Sequence, residues 1–152
     1  MRNAVDRAKK KNLSRAGAYV RRTARSSIRP ATKKQKKQRR HLQKSRRRRL
    51  GRHDPTISRP GRPPRRHTPG KRGIRLILFG YDQASASVIV GPVRFQTSGN
   101  NVAQLLEHGG SGFVGRGRRK KRATYLPRPF MQPALEKESS KFPDLFRNSV
   151  KG

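Results

Sequence analysis

The stretch Ile74–Phe95, IRLILFGYDQASASVIVGPVRF, decides the fold class of this chain. Its ends, Ile74–Phe79 (IRLILF) and Ser85–Phe95 (SASVIVGPVRF), are rich in branched aliphatic and aromatic residues that suit a pleated, half-buried surface. The GYDQA between them has turn composition, so two strands in an antiparallel hairpin are predicted. Pro92 has no N–H to give to a ladder, and the second strand should end, bulge or lie at an edge there.

C-terminal to the hairpin, TSGNNVAQLLEHGG has a polar start, a short apolar stripe of Val102, Leu105 and Leu106, and a double-glycine stop. These are the signals of a helix of about two turns. Arg122–Leu126 (RATYL) predicts a third strand, and the Gly- and Arg-rich GGSGFVGRGRRKK before it reads as a flexible hairpin tip. Pro129–Glu138 and Lys141–Val150 carry Phe130, Ala134, Leu135, Phe142, Leu145, Phe146 and Val150 at helical spacing, which predicts a C-terminal helix bent at Pro143.

N-terminal to the hairpin, Val5, Leu13, Ala16, Val20, Ala24 and Ile28, with Ala8 and Tyr19 beside them, recur mostly at intervals of three and four. This stripe predicts a helix over roughly 3–27. Gly17 should weaken its centre by about 1 kcal/mol relative to Ala, and Pro30 disfavours helical geometry at Arg29. Lys9, Lys10, Arg15, Arg21, Arg22 and Arg25 fall on the opposite face, where the simplest reading is solvated charge. The expected architecture is α+β: an N-terminal helix (1–28), a basic, Pro-rich extended arm (29–73), and a small domain (74–152) of antiparallel sheet, short helix and C-terminal helix, with 1–28 packing on it.

Composition bounds the rest. The 152 residues include 41 Lys and Arg against 7 Asp and Glu, a net charge of +34, with 30% hydrophobic and 6% aromatic residues and no Trp. Such a chain borders on charged disorder and offers at most one modest core. The charge is uneven: residues 1–73 hold 28 Lys and Arg and 2 acids, residues 74–152 hold 13 and 5. The stretch between Arg75 and Arg94 is broken by Asp82, Gly, Gln and Ser, far short of the roughly 20 apolar residues of a membrane helix. No apolar run follows the charged N-terminus, so no secretory signal is expected. Zero cysteines exclude disulfide scaffolds, thiolate metal sites and thiol nucleophiles.

Within the arm, 12 of the 20 residues over 33–52 are Lys or Arg, among them Lys33, Lys34, Lys36, Lys37, Arg39, Arg40, Arg46, Arg47, Arg48 and Arg49. Like charges at this density repel unless an anionic partner neutralises them, so disorder or marginal helix is expected in isolation and contact with a polyanion in function. No aromatic residue is interleaved to stack on bases, which argues against single-strand readout. Prolines at 55, 60, 63, 64 and 69 then impose extended backbone, a semi-rigid arm.

Chemistry motifs are scarce. Gly110, Gly112 and Gly115 match the dinucleotide fingerprint literally, but a helix precedes them and GRGRRKKR follows, where the motif needs a strand before and a helix after. His41, His53, His67 and His108 are scattered, with no metal-ligand spacing. Glu136 and Glu138 do not flank a substrate from one helical face, and no Ser sits in a nucleophile–base pattern. No catalytic residue, metal site or cofactor is expected, and the chain does not read as an enzyme.

Two stretches are more specific. SRPGRPPRRHTPGKRGIRLILFGYD followed by SVIVGPVRF resembles the arm and first hairpin of the small tail-completion and head-tail joining (neck) proteins of tailed bacteriophages. The matching residues are Pro60, Gly61, Pro63, Pro64, His67 and Thr68, then Val90, Gly91 and Pro92. NVAQLLEHGG followed by Tyr125, Arg128, Pro129, Phe130, Met131, Pro133, Ala134 and Leu135 is similar to that family's helix end and the start of its last helix. Pro129 near a helix start costs no hydrogen bond, and Phe130 and Leu135 are placed to anchor that helix to the sheet. The Lys- and Arg-rich insert of 31–52 and the tip of 111–122 depart from the family's pattern.

The resemblance implies a virion structural protein of the phage neck or tail end, present in the host cytoplasm during assembly. It would be a homo-oligomeric ring contacting portal or head-completion and tail proteins. The net charge alone, not the resemblance, suggests that the basic segment faces passing DNA or an acidic neighbour. The alternative is a ribosome-associated or nucleoid-type nucleic-acid-binding protein, against which stands the near-neutrality of 74–110, where Arg75 and Arg94 are the only Lys or Arg residues.

Overall fold

The computed structural model of the chain describes residues 2–37, 41, 58–65, 73–93, 96–97, 100–114, 118 and 120–147. It is mixed α+β, as expected, with a long N-terminal helix α1 (Arg2–Ser27). A 3-10 turn over Gly73–Arg75 precedes β1 (Ile77–Asp82), followed by β2 (Ser87–Pro92), β3 (Gln96–Thr97), β4 (Asn100–Asn101) and α2 (Val102–His108). The chain continues through β5 (Gly110–Val114), β6 (Lys121–Tyr125), α3 (Gln132–Ser139) and α4 (Phe142–Phe146). The strands form three separate two-stranded antiparallel ladders, β1 with β2, β3 with β4 and β5 with β6.

The chain divides into two compact units of discontinuous segments: residues 1–26, 72–94 and 131–152 make one, residues 27–71 and 95–130 the other. The block 74–152 thus contributes to both.

In the first unit, α1 buries Ala16, Val20 and Ala24, on the stripe its periodicity indicates. Val5 is exposed, and the stripe begins effectively at the buried Asn12. β1 lies three residues further along than its composition suggests, and β2 is shorter at both ends. Gly73–Arg75 is taken up by the 3-10 turn, and the strand runs on through Tyr81, so Ile77, Phe79 and Tyr81 keep the alternation of one face. The turn falls on Gln83–Ala86, where the Asp82 carboxylate accepts hydrogen bonds from the Ala84 N–H at 3.1 Å and the Ser85 hydroxyl at 2.6 Å. Those bonds, Ser85 first, hold the Asp82 carboxyl below its ordinary pKa. The ladder pairs Phe79 with Val90 and Tyr81 with Val88, and β2 ends at Pro92, one of the outcomes expected there.

Gly17 has a packing reason. A Cβ built there would lie 2.5 Å from Val88 Cγ1 and 3.1 Å from Phe79 Cδ2, so glycine lets α1 approach the hairpin closely. The C-terminal helix is broken rather than bent. α3 ends at Ser139, and α4 restarts with Pro143 in its first turn, where a missing N–H costs nothing. Glu138 is buried and accepts from the Thr23 hydroxyl at 2.6 Å and from Lys141 Nζ at 2.7 Å, which ties α3 to α1.

In the second unit the segment over 110–114, expected as part of a flexible tip, is strand β5, paired from Gly110–Tyr125 to Val114–Lys121. Phe113 and Val114 favour extended backbone, and glycines at 110 and 112 do not prevent it when the partner strand is adjacent. α2 starts at Asn101, whose side chain accepts from the Gln104 N–H at 3.4 Å, and stops at Gly109, whose N–H bonds Leu105 O at 3.0 Å. Gly109 has φ +75°, and a Cβ there would sit 2.8 Å from Tyr125 O, so the double-glycine stop is required by both backbone and space.

Candidate assembly and polyanion-binding surfaces

Three motif stretches far apart in the chain converge on Arg128. Its Nε donates to Ser58 O at 2.8 Å, its Nη1 to Leu126 O at 3.0 Å, and its backbone N–H to Leu106 O at 2.6 Å. Next to it, Phe130 is 1% exposed, and its backbone N–H donates to the Glu107 carboxylate at 2.9 Å. The Arg-Pro-Phe motif therefore holds the end of α2 and the arm together in the second unit. Charge-assisted bonds of this kind are the strong ones.

The arm is more structured than extended polyproline. Arg62 N–H bonds Arg59 O at 3.1 Å across Pro60 and Gly61, with Gly61 at φ +74°. Proline at the second and glycine at the third position, with positive φ at the glycine, is the pattern of a type II turn. Gly61 N–H then bonds Pro127 O at 2.9 Å, and Pro64 is buried. His67 and Thr68 lie outside the described residues, as do Arg39, Arg40 and Arg46–Arg49.

The family-like start of the last helix is shifted. Pro129 precedes α3 by three residues, Pro133 occupies its first turn instead, and Leu135 is exposed rather than anchoring. Phe130 and Ala134 are buried.

Of the basic residues, Lys33, Lys34, Lys36 and Lys37 lie exposed on a helical segment over 33–37. A short helix is one of the two states expected here, and its cause is legible: Thr32-Lys33-Lys34-Gln35 is a capping box. Gln35 N–H donates to Thr32 Oγ1 at 3.2 Å, and Thr32 N–H donates to Gln35 Oε1 at 2.9 Å. Arg65 Nη1 reaches the same Gln35 oxygen at 2.7 Å, and Ala31 is buried beside the cap.

On α1 the basic face is not simply solvated. Lys10 Nζ lies 5.5 Å over the Tyr81 ring, and the Arg21 guanidinium 5.6 Å over Phe79. Each cationic head thus lies over a hairpin ring, a cation–π contact. Sequence periodicity did not separate them from Arg15 or Arg22.

The hairpin face away from α1 carries Leu78 and Ile89, 52% and 65% exposed, with Leu76 and Val93 opposite one another beyond the strand ends. The Val93 N–H bonds Leu76 O at 2.8 Å, so the apolar face extends past Pro92. Among the described residues no group of three potential metal ligands converges, and no helix is long and apolar enough to cross a membrane. His108 is an exposed residue of the last turn of α2, and the Glu107 beside it is engaged with Phe130. No family model, curated protein or solved structure matches the chain.

Proposed function

We propose that the chain is a non-enzymatic structural protein of the neck or tail end of a tailed phage. There it joins head to tail or completes the tail as an oligomeric ring. The observation that carries this reading is the outward face of the β1–β2 hairpin. A two-stranded ladder covered by α1 on one side leaves Leu76, Leu78, Ile89 and Val93 in water on the other, half of a layered packing. A ring closes through heterologous contacts, each subunit offering two different patches, and this face is one of them. The ordered motifs support the same reading, since the arm, the end of α2 and the Arg-Pro-Phe segment are joined by Arg128. The basic residues 33–52 then meet passing DNA or an acidic neighbour.

The test is solution mass by light scattering in high salt, with and without nuclease, where polyanion bridging is screened and packing contacts remain. A discrete ring that Ile89→Lys dissolves, or a monomer that forms one with a portal or tail partner, supports the reading. A salt-resistant monomer that joins no such partner overturns it.

The second reading, a ribosome-associated or nucleoid-type nucleic-acid-binding protein, is favoured by one observation. Arg21, Arg22, Arg25 and Arg75 cluster on the folded body, although the sequence over 74–110 is nearly neutral. Replacing Arg46–Arg49 with Gln weakens polyanion binding most at low salt under either reading, whereas only the ring reading requires the hairpin face.

A further inference from the structure

Ala18, Arg21, Arg22 and Arg25 share one stripe of α1, at the helical spacing of three and four residues. With Ser26 and with Arg75 from the 3-10 turn they line a cleft of about 320 Å³ in the first unit. Four arginines line one small volume, largely through their stems, and no carboxylate lines it among the described residues. Nearby on α1, Thr23 engages Glu138, which is also occupied by Lys141. The carbonyl end of α1 carries roughly half a negative charge, which steadies Arg25 in the last turn and falls far short of neutralising the three arginines of α1 that line the cleft. Arg21 is the informative member. Its Nε is shut off from solvent and has no hydrogen-bond partner among the described residues, while its guanidinium is held over Phe79. Buried donors are normally satisfied, so an unpaired N–H on one of the arginines that line the cleft leaves donor capacity for an acceptor.

We propose that this cleft binds a phosphodiester group of a nucleic-acid backbone. Guanidinium forks match phosphate oxygens, and an anion with charge spread over tetrahedral oxygens can take donors from several arginines at once, whereas a planar carboxylate is satisfied by one fork. The cleft is larger than a lone phosphate, and the aliphatic arginine stems and Ala18 form walls against which a sugar packs. Binding eases the mutual repulsion of Arg21, Arg22 and Arg25 and releases the counterions of the phosphate. The site shares no residue with the basic segment over 33–52 and stands whether or not the chain builds a ring.

The experiment titrates the full-length, nuclease-treated protein with a short labelled DNA duplex over a series of salt concentrations. Arg22→Gln/Arg25→Gln should weaken binding by about tenfold or more at moderate salt and lower the slope of log affinity against log salt by about 1, the value for one lost phosphate contact. The control Arg7→Gln/Lys11→Gln removes the same charge from the exposed N-terminal half of α1 and should change affinity less than about threefold. Equal losses from the two pairs would overturn the proposal, because charge alone would then explain the binding.

A second measurement needs no variant. The Nε–Hε resonance of Arg21 should shift saturably on addition of a phosphodiester-linked dinucleotide. An unmoved resonance, the same midpoint with inorganic phosphate, or a tighter response to polyglutamate would each refute the nucleic-acid assignment.

Discussion

Gly17→Ala sets two well-calibrated effects against each other. Helix propensity alone favours Ala over Gly in a helix interior by about 1 kcal/mol. In the folded chain, however, the new Cβ would lie 2.5 Å from Val88 Cγ1 and 3.1 Å from Phe79 Cδ2. Carbon atoms in contact sit about 3.5–4.0 Å apart, so the methyl needs about 1 Å of relief. Val88 gives little, because its β-branched side chain is stiff at χ1 and its backbone is paired with Tyr81. Overpacking of this kind costs about 1–3 kcal/mol. The net expectation is a loss of about 1 kcal/mol, opposite in sign to the propensity.

The assay is urea unfolding in high salt, closed as a cycle with Val88→Ala. Val88→Ala alone should cost up to about 1.5 kcal/mol, from two half-buried carbons at up to about 0.8 kcal/mol each. On that background the clash partner is gone, and Gly17→Ala should become stabilising by up to about 1 kcal/mol, a coupling of about 1–3 kcal/mol. If Gly17→Ala stabilises the wild-type chain by about 1 kcal/mol and adds independently to Val88→Ala, the close approach of α1 to the hairpin is wrong.

Four further outcomes follow from the same contacts. Gly109→Ala places a side chain at φ +75° and a Cβ 2.8 Å from Tyr125 O, so it should lower stability by about 2 kcal/mol, and an unchanged melting temperature would contradict this. Phe130→Ala empties a site that is 1% exposed and should cost about 3–5 kcal/mol in urea unfolding, loosening the Arg128 junction. Hydrogen bonds from Lys141 and then Thr23 hold the Glu138 carboxyl below its ordinary value of 4.5, so its contribution is complete above that value and is lost as pH falls through the lower folded-state value. Glu138→Gln should therefore flatten the acid limb of a stability-against-pH curve, and an unaltered limb would dismiss the contact. Thr32→Ala removes the cap of the segment over 33–37 at a cost of about 1 kcal/mol, read as faster amide hydrogen exchange at Gln35 and Lys36.

The sequence made legible what depends on spacing and on residues with one physical use. The stripe of α1, the stop at Gly109 and the end of β2 at Pro92 all follow from local rules, and the structure agrees with each. What it hid depends on partners distant in the chain. β5 looks like a glycine-rich tip until β6 lies beside it. Gly17 looks like a propensity defect until Val88 is seen against it. Arg128 gains its meaning only from carbonyls contributed by residues 58, 106 and 126. The capping box at Thr32–Gln35 was a signal present in the letters, overshadowed by the charge around it. The arginine cleft was half visible, since its helical stripe can be read from α1, while Arg75 arrives through a turn that the hairpin composition concealed.

Charge and packing are segregated in this chain, and that segregation bears on what it can do alone. The buried apolar residues are few and mostly small, with Phe130, Ile28 and Ile77 the largest fully buried side chains among the described residues. A core of that size stabilises only modestly, while a net charge of +34 opposes compaction. The acids do little to offset it: Glu138 and Asp144 each pair with a neighbour three residues away, contacts that organise a helix end rather than neutralise a basic face. Anions that bind the folded state and not the unfolded one then stabilise it by mass action. On the proposal that the arginine cleft of α1 holds a phosphodiester, the cleft binds in that selective way, because the unfolded chain does not gather these arginines around one volume. The proposed polyanion is then a partner of the fold as well as a target of its charge.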